Sequence, residues 1–206
     1  MTDKILKAKH WQLFFLLVGV PVGLFLTIGV IISSIIKGGT PPEPEDFFKL
    51  ISIAKFFPLV MVLFISLIFS WFWSVAIGLQ NNMPNSIEMK TTKFKIFSSI
   101  PLLYISGFCI FMFIALGKIK PQDLPQLPME WLTPILFILH ILSFFGIFYS
   151  MYFAAKTLKT AELQREVTFK DFASEFFMFW FFPIGVWILQ PRINEMAEKN
   201  DVESNV

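Results

Sequence analysis

The chain has 206 residues, 55% hydrophobic and 16% charged, with a net charge of +2. An average soluble domain is about 25% charged, so most of this surface faces something other than water, and the small net charge excludes nucleic-acid binding by bulk electrostatics. A single cysteine, Cys109, permits no internal disulfide, and with only His10 and His140 beside it there is no zinc-type ligand set.

Read from the N-terminus, Lys4, Lys7 and Lys9 form the basic flank of a secretion signal. The apolar run behind them, about 11–36, is far longer than the ~7–15 residues of a signal core and lacks a small-residue cleavage site, which predicts an uncleaved first span. Gly19, Gly23 and Thr27 recur in it every fourth residue, and Pro21 predicts a kink. A proline-rich connector, Thr40–Asp46, follows. Phe47, Leu50, Ile51, Ala54 and Phe57 then recur at helical spacing, the pattern of a segment lying along the membrane interface. The second run, about 56–79, starts near Pro58 and carries Ser66, Ser70, Ser74 and Gly78 at four-residue spacing, which keeps them on one helix face. Small residues so placed let backbones approach, within one chain or between chains of a homo-oligomer.

The third run covers about 96–117 and the fourth, after a second proline-rich connector at Pro121–Pro128, about 131–155. Each of the four runs reaches the ~20 residues a helix needs to cross ~30 Å of hydrocarbon. None has an Asp, Glu, Lys or Arg in its middle, so each enters lipid without the ~2.5–3.5 kcal/mol that a central charge costs. The expected fold is therefore an all-α, polytopic membrane helix bundle forming one domain, with the lipid bilayer as its first partner. In the fourth run His140, Ser143, Gly146, Ser150 and Ala154 share about a third of the helix circumference. His140 is the one ionisable group expected deep in lipid, and with Ser143 it makes a candidate intramembrane polar site; the alternative is a neutral imidazole bonded to a neighbouring serine or carbonyl.

Past the fourth run, Lys156–Glu166 is rich in charge and in good helix formers, which extends the fourth helix beyond the membrane. Thr168 and Asp171 form a capping-box-like start for a further segment, about 169–190, with Val167 placed to staple onto Phe172. Its strongly apolar part, Phe176–Leu189, is interrupted at Pro183-Ile184-Gly185 and is short for a span. Both a re-entrant hairpin broken at Pro183 and a fifth span fit this pattern. Pro191 is expected to end the helix and begin a polar tail at 191–206, with Arg192 anchoring to lipid phosphate or capping the last carbonyls.

Orientation follows from Lys and Arg. The N-terminal tail has three, the loop after the second run three (Lys90, Lys93, Lys95) and the stretch after the fourth run four (Lys156, Lys159, Arg165, Lys170), ten against five in the other two connectors. The positive-inside rule places the N-terminus in the cytoplasm of a multi-pass protein, in a bacterial inner membrane. Lys159, Arg165 and Arg192 are then candidate contacts for a protein partner or for lipid at the cytoplasmic face.

The segment Phe181-Phe182-Pro183-Ile184-Gly185-Val186-Trp187-Ile188-Leu189-Gln190-Pro191-Arg192-Ile193-Asn194 resembles the C-terminal signature of small bacterial multispan membrane proteins, most of them without assigned function. In size and four-span layout the chain is also similar to the membrane accessory proteins of type VI-B CRISPR systems. That likeness implies a regulator of an antiviral RNA-guided nuclease rather than an enzyme, and it carries no residue roles across. The residues themselves give no intramembrane carboxylate pair, no His-Glu-x-x-His and no phosphate-cradling glycine loop. The expected function is thus a non-catalytic accessory without cofactor, the alternatives being an oligomeric pore or small transporter and, last, a membrane enzyme.

Overall fold

The computed structural model describes residues 2–35, 44–84, 86–118 and 132–204. Of the connector expected at Thr40–Asp46, residues 40–43 lie outside the described residues, as does the one at Pro121–Pro128, while Pro44, Glu45 and Asp46 form the first turn of a helix instead of a connector, with the proline where its missing N–H is harmless. The described chain is all helical. It runs α1 (Thr2–Leu6), α2 (His10–Phe14), a π-helical turn (Phe15–Gly19), α3 (Val20–Ile35), α4 (Pro44–Ala54), α5 (Phe57–Gly78), a 3-10 turn (Gln80–Asn82), α6 (Thr91–Gly117), α7 (Leu132–Leu163), α8 (Phe169–Trp180) and α9 (Phe182–Ser204). Four stretches are long and apolar enough to cross a membrane: His10–Ser34, Phe48–Asn82, Thr91–Gly117 and Leu132–Leu163.

The break before Pro21 has a local cause. Proline lacks the N–H that would bond the carbonyl one α-turn back, and its ring collides with that carbonyl. The chain widens into the π turn just upstream, where Val20 N–H reaches back to Phe15 O, and the helix resumes with Pro21 in its first turn. The first-span seam does not pack. Gly23 and Thr27 are exposed, a Cβ at Gly23 would meet nothing within 4 Å, and the Thr27 hydroxyl donates to Gly23 O of its own helix at 2.8 Å.

The bundle proper is α5, α6 and α7, each packed on the other two. Pro101 lies buried inside α6 and leaves the carbonyl of Phe97 without its α-helical donor. Gly146 of α7 sits against that same carbonyl: a Cβ there would come within 2.6 Å of Phe97 O and 2.8 Å of Pro101 Cδ. Close backbone approach thus fills the gap that proline opens. Ser143, Ser150 and Ala154 continue this buried face, as the sequence predicts, but His140 is exposed on the outside of the helix.

With 32 residues, α7 is about 48 Å long, so its last turns project past a ~30 Å hydrocarbon layer. It ends at Gln164, the one positive-φ residue besides glycine among those described (φ 52°), in the left-handed conformation that turns a chain out of a helix. Thr168 then starts α8, its N–H bonded to Asp171 Oδ2 at 2.8 Å, while Val167 and Phe172 are buried in one apolar cluster. The break between α8 and α9 falls at Phe181 rather than at Pro183, which occupies the first turn of α9 where its missing N–H is harmless. Gly185 lies directly against the carbonyl of Met178, so the two helices fold back as a tight hairpin. Pro191 does not end α9. The helix continues through it, and Ile193, Met196 and Ala197 are buried where a polar tail was expected.

One end of the bundle gathers α1, the end of α5, the start of α6, the end of α7 and the later turns of α9. Gly78 receives Leu6 and Thr2 of α1, Asn82 donates to Met196 O at 2.9 Å, and Gln164 donates to Asn82 O at 2.7 Å. All three lysine-rich segments of the sequence therefore share this end.

Glycine substitutions separate these contacts. Gly185→Ala and Gly146→Ala should each cost about 1–3 kcal/mol, because backbone has to move to admit the methyl group. Gly23→Ala should be neutral or stabilising by up to ~1 kcal/mol, since it adds a better helix former in open space. Denaturant titration of the purified protein in detergent micelles measures all three.

Candidate functional site

Five residues make too short a helix to persist alone, so α1 depends on what holds it. Its last carbonyls have no helical donors. They are met by one side chain of α9: Gln190 Nε2 lies 3.0 Å from Ile5 O, 3.1 Å from Leu6 O and 3.0 Å from Ala8 O. Asn194, one turn on, adds Nδ2 bonds to Leu6 O at 2.6 Å and Ala8 O at 3.2 Å. The orientation of the Gln190 amide is fixed by Trp71 of α5, whose indole N–H, a donor only, gives 3.0 Å to Gln190 Oε1. Gln190 is fully buried, and the Trp71 ring packs on Phe179 of α8 at 4.9 Å. The signature segment thus supplies the cap of the N-terminal helix.

The other side of α9 carries Arg192. Its guanidinium grips Glu162 of α7 at 2.6 Å through both Nε and Nη2, and Nη2 also reaches Glu175 of α8 at 2.7 Å. Lys159 Nζ stands 3.0 Å from Glu175 and 3.4 Å from Glu162, and the Ser174 hydroxyl donates to Glu175 at 2.8 Å. Two cations and two carboxylates balance here, tying α7, α8 and α9 together. Burial pushes the Glu175 carboxyl up, but the hydrogen bonds from Arg192, Lys159 and Ser174 outweigh it and hold the group at about 2. The Glu162 carboxylate, against the opposing effect of burial and with help from Glu175, raises Arg192 above the ordinary guanidinium range. Both shifts favour the charged forms that the ion pairs require.

These positions revise the expected contacts. Arg192 pairs with Glu162 and Glu175 on neighbouring helices, and Lys159, about four-fifths buried, faces the same two carboxylates. Arg165 is more than half exposed and pairs with Asp171 at 2.9 Å, a bond that, with those from Thr168, keeps the Asp171 carboxyl below the usual carboxylate range. His140 and Ser143 do not join: His140 lies edge-on to the Tyr104 ring at 6.1 Å, and the buried Ser143 hydroxyl has no partner among the described residues. Among the described residues no three His, Cys, Asp or Glu side chains are placed to hold a metal ion.

The second-span seam has a different outcome. Gly78 accepts α1, whereas Ser66, Ser70 and Ser74 border a cleft of about 280 Å³ between α5 and α6, with Ser98 and Ser99 opposite and Ile5 of α1 at one edge. Comparison with protein-family models, with characterised proteins and with solved structures finds no match.

Two outcomes follow. Gln190→Leu leaves the Trp71 N–H unpaired and the end of α1 held by Asn194 alone among the side chains of α9, and should cost about 3 kcal/mol; proteolysis should then cut first near Lys7 and Lys9. The acid response comes from Glu175. A carboxylate held below its ordinary value stabilises the fold above that value and loses the contribution as pH falls through the lowered one. Hydrogen exchange in α8 and α9 should therefore speed up from about pH 4.3 downward, the ordinary glutamate value, towards about 2, and Glu175→Gln should remove this step.

Proposed function

We propose that this chain is a non-catalytic accessory protein of the bacterial inner membrane, with its N-terminus in the cytoplasm and its lysine-rich end presented to a protein partner. The observation that carries the reading is the meeting, at one end, of backbone held rigidly by Gln190 and the four-charge cluster with exposed cations around it, among them Lys4, Lys9, Lys93 and Lys170. Fixed geometry under mobile exposed charge suits recognition, where rim charges set specificity and association rate. The likeness in size and layout to type VI-B accessories makes a regulator of an RNA-guided nuclease the class we assign.

The hairpin of α8 and α9 is read as re-entrant. At 12 residues α8 rises about 18 Å and does not cross the hydrocarbon. Phe181, Ile184 and Trp187 are exposed near its turn, while Glu175 and Arg192 pair on the arms below. Both arms then return to the cytoplasmic side. In a Cys109→Ser background, Glu88→Cys and Glu198→Cys should both resist an impermeant thiol reagent in intact cells and label after lysis. Labelling of Glu198→Cys alone in intact cells would mean a fifth span, and labelling of both would invert the protein.

The partner reading is tested on exposed charges outside the ion cluster. Lys93→Glu with Lys170→Glu should leave insertion and thermal stability unchanged, yet abolish co-elution with the type VI-B nuclease in size-exclusion chromatography. Vesicles holding the protein alone should conduct no better than empty ones. Ion flux without any partner, lost in His140→Leu, would replace this reading with a pore.

A further inference from the structure

The cleft between α5 and α6 has an unused donor. Ser74 and Ser99 each give their hydroxyl proton to their own helix, at 2.7 Å to Ser70 O and 2.7 Å to Lys95 O. Ser98 borders the same cleft and is only 2% exposed, but its hydroxyl bonds to none of the described residues. A hydroxyl that lines a cleft and gives its proton to no protein group is free to bond what enters there. Six of the cleft's ten lining residues carry hydroxyls and the other four, Ile5, Phe69, Trp73 and Leu102, form its apolar wall; its volume of about 280 Å³ holds about nine groups of water size at ~30 Å³ each. That is room for a segment of a lipid and not for a whole one.

Depth and charge narrow the choice. Ser98 stands seven residues inside α6 from Thr91, about 10 Å by helical rise, where the polar interface of a bilayer gives way to hydrocarbon. Lys95 is exposed on the headgroup side, about one turn nearer the end of the helix. We infer that this cleft seats the glycerol-ester segment of one membrane phospholipid. An ester carbonyl accepts the Ser98 hydroxyl, the first methylenes of the acyl chain lie along the apolar wall, and the phosphate comes within reach of Lys95. No bond is made or broken. The site rests on α5 and α6 lying in the bilayer, with Thr2 and Ile5 of α1 closing one edge, and is independent of any partner at the cytoplasmic end.

The test uses the full chain with phospholipid as the probe. Native mass spectrometry after delipidation in mild detergent should find about one phospholipid per chain, and Ser98→Ala with Ser70→Ala should lower that occupancy about tenfold, as expected for one or two lost hydrogen bonds. Ser33→Ala, on an exposed part of α3, should change nothing. A phospholipid carrying a photoactivatable group next to its ester should crosslink unmodified protein in nanodiscs within 66–74 or 98–102, a readout that needs no variant. Crosslinks spread evenly over the lipid-facing helices, retention untouched by the double substitution, or retention of free fatty acid alone would each overturn the proposal.

Discussion

The carboxamide of Gln190 is the point on which the rest of the structure turns. It accepts from Trp71 in the second span and donates to the backbone of residues 5–8, so one side chain joins the start, the middle and the end of the chain. A buried amide left half-satisfied would weaken this end of the bundle, but here every part of it is used. The ion cluster on the opposite side of α9 works by a different rule. Its charges offset the cost of burying Glu175 with three hydrogen bonds, so it fixes geometry more than it adds net stability.

These two polar assemblies lie where the tightest packing lies. The buried apolar cluster is drawn from α1, the later turns of α5 and α7, and the hairpin, while much of α3 and the early turns of α5 and α7 remain exposed. Between helices in lipid there is no hydrophobic drive to association, because the tails are as apolar as the side chains. Packing there needs close backbone approach, as at Gly146 against Phe97 O. The dense core sits at the end that holds the charged residues, where the Gln190 contacts and the ion cluster tie its helices together.

Length and hydropathy made the spans legible, because crossing lipid is a one-dimensional demand that a run of side chains either meets or fails. Helix starts at Pro58 and Thr168 were legible for the same reason, being local chemistry. Four-residue spacing was weaker evidence, since it names a face but not what the face meets: Gly23 looks onto nothing, Gly78 receives α1, and Ser70 borders a cleft. Proline misled twice. In the sequence Pro183 and Pro191 have the look of breaks, yet the first sits in a helix turn that needs no donor and the second is carried inside α9. Gln190, Asn194, Glu162 and Glu175 escaped sequence reading because their partners are far off in the chain. The signal that was available is the four-residue interval between Gln190 and Asn194, which puts two amides on one helix face immediately beside a charged residue.

The span of the Gln190 contacts also sets an order of assembly. Residues 5–8 and residue 190 are more than 180 positions apart, so the N-terminal helix emerges first and waits for the last helix to be made. All four spans are threaded into the bilayer before the seal on α1 exists. During synthesis the lysine-bearing N-terminus is an open segment, available to any chaperone or partner that meets it, and it is withdrawn only when translation is nearly complete. A ribosome that stops short of Gln190 therefore releases a chain with its membrane crossings in place and its N-terminus still open.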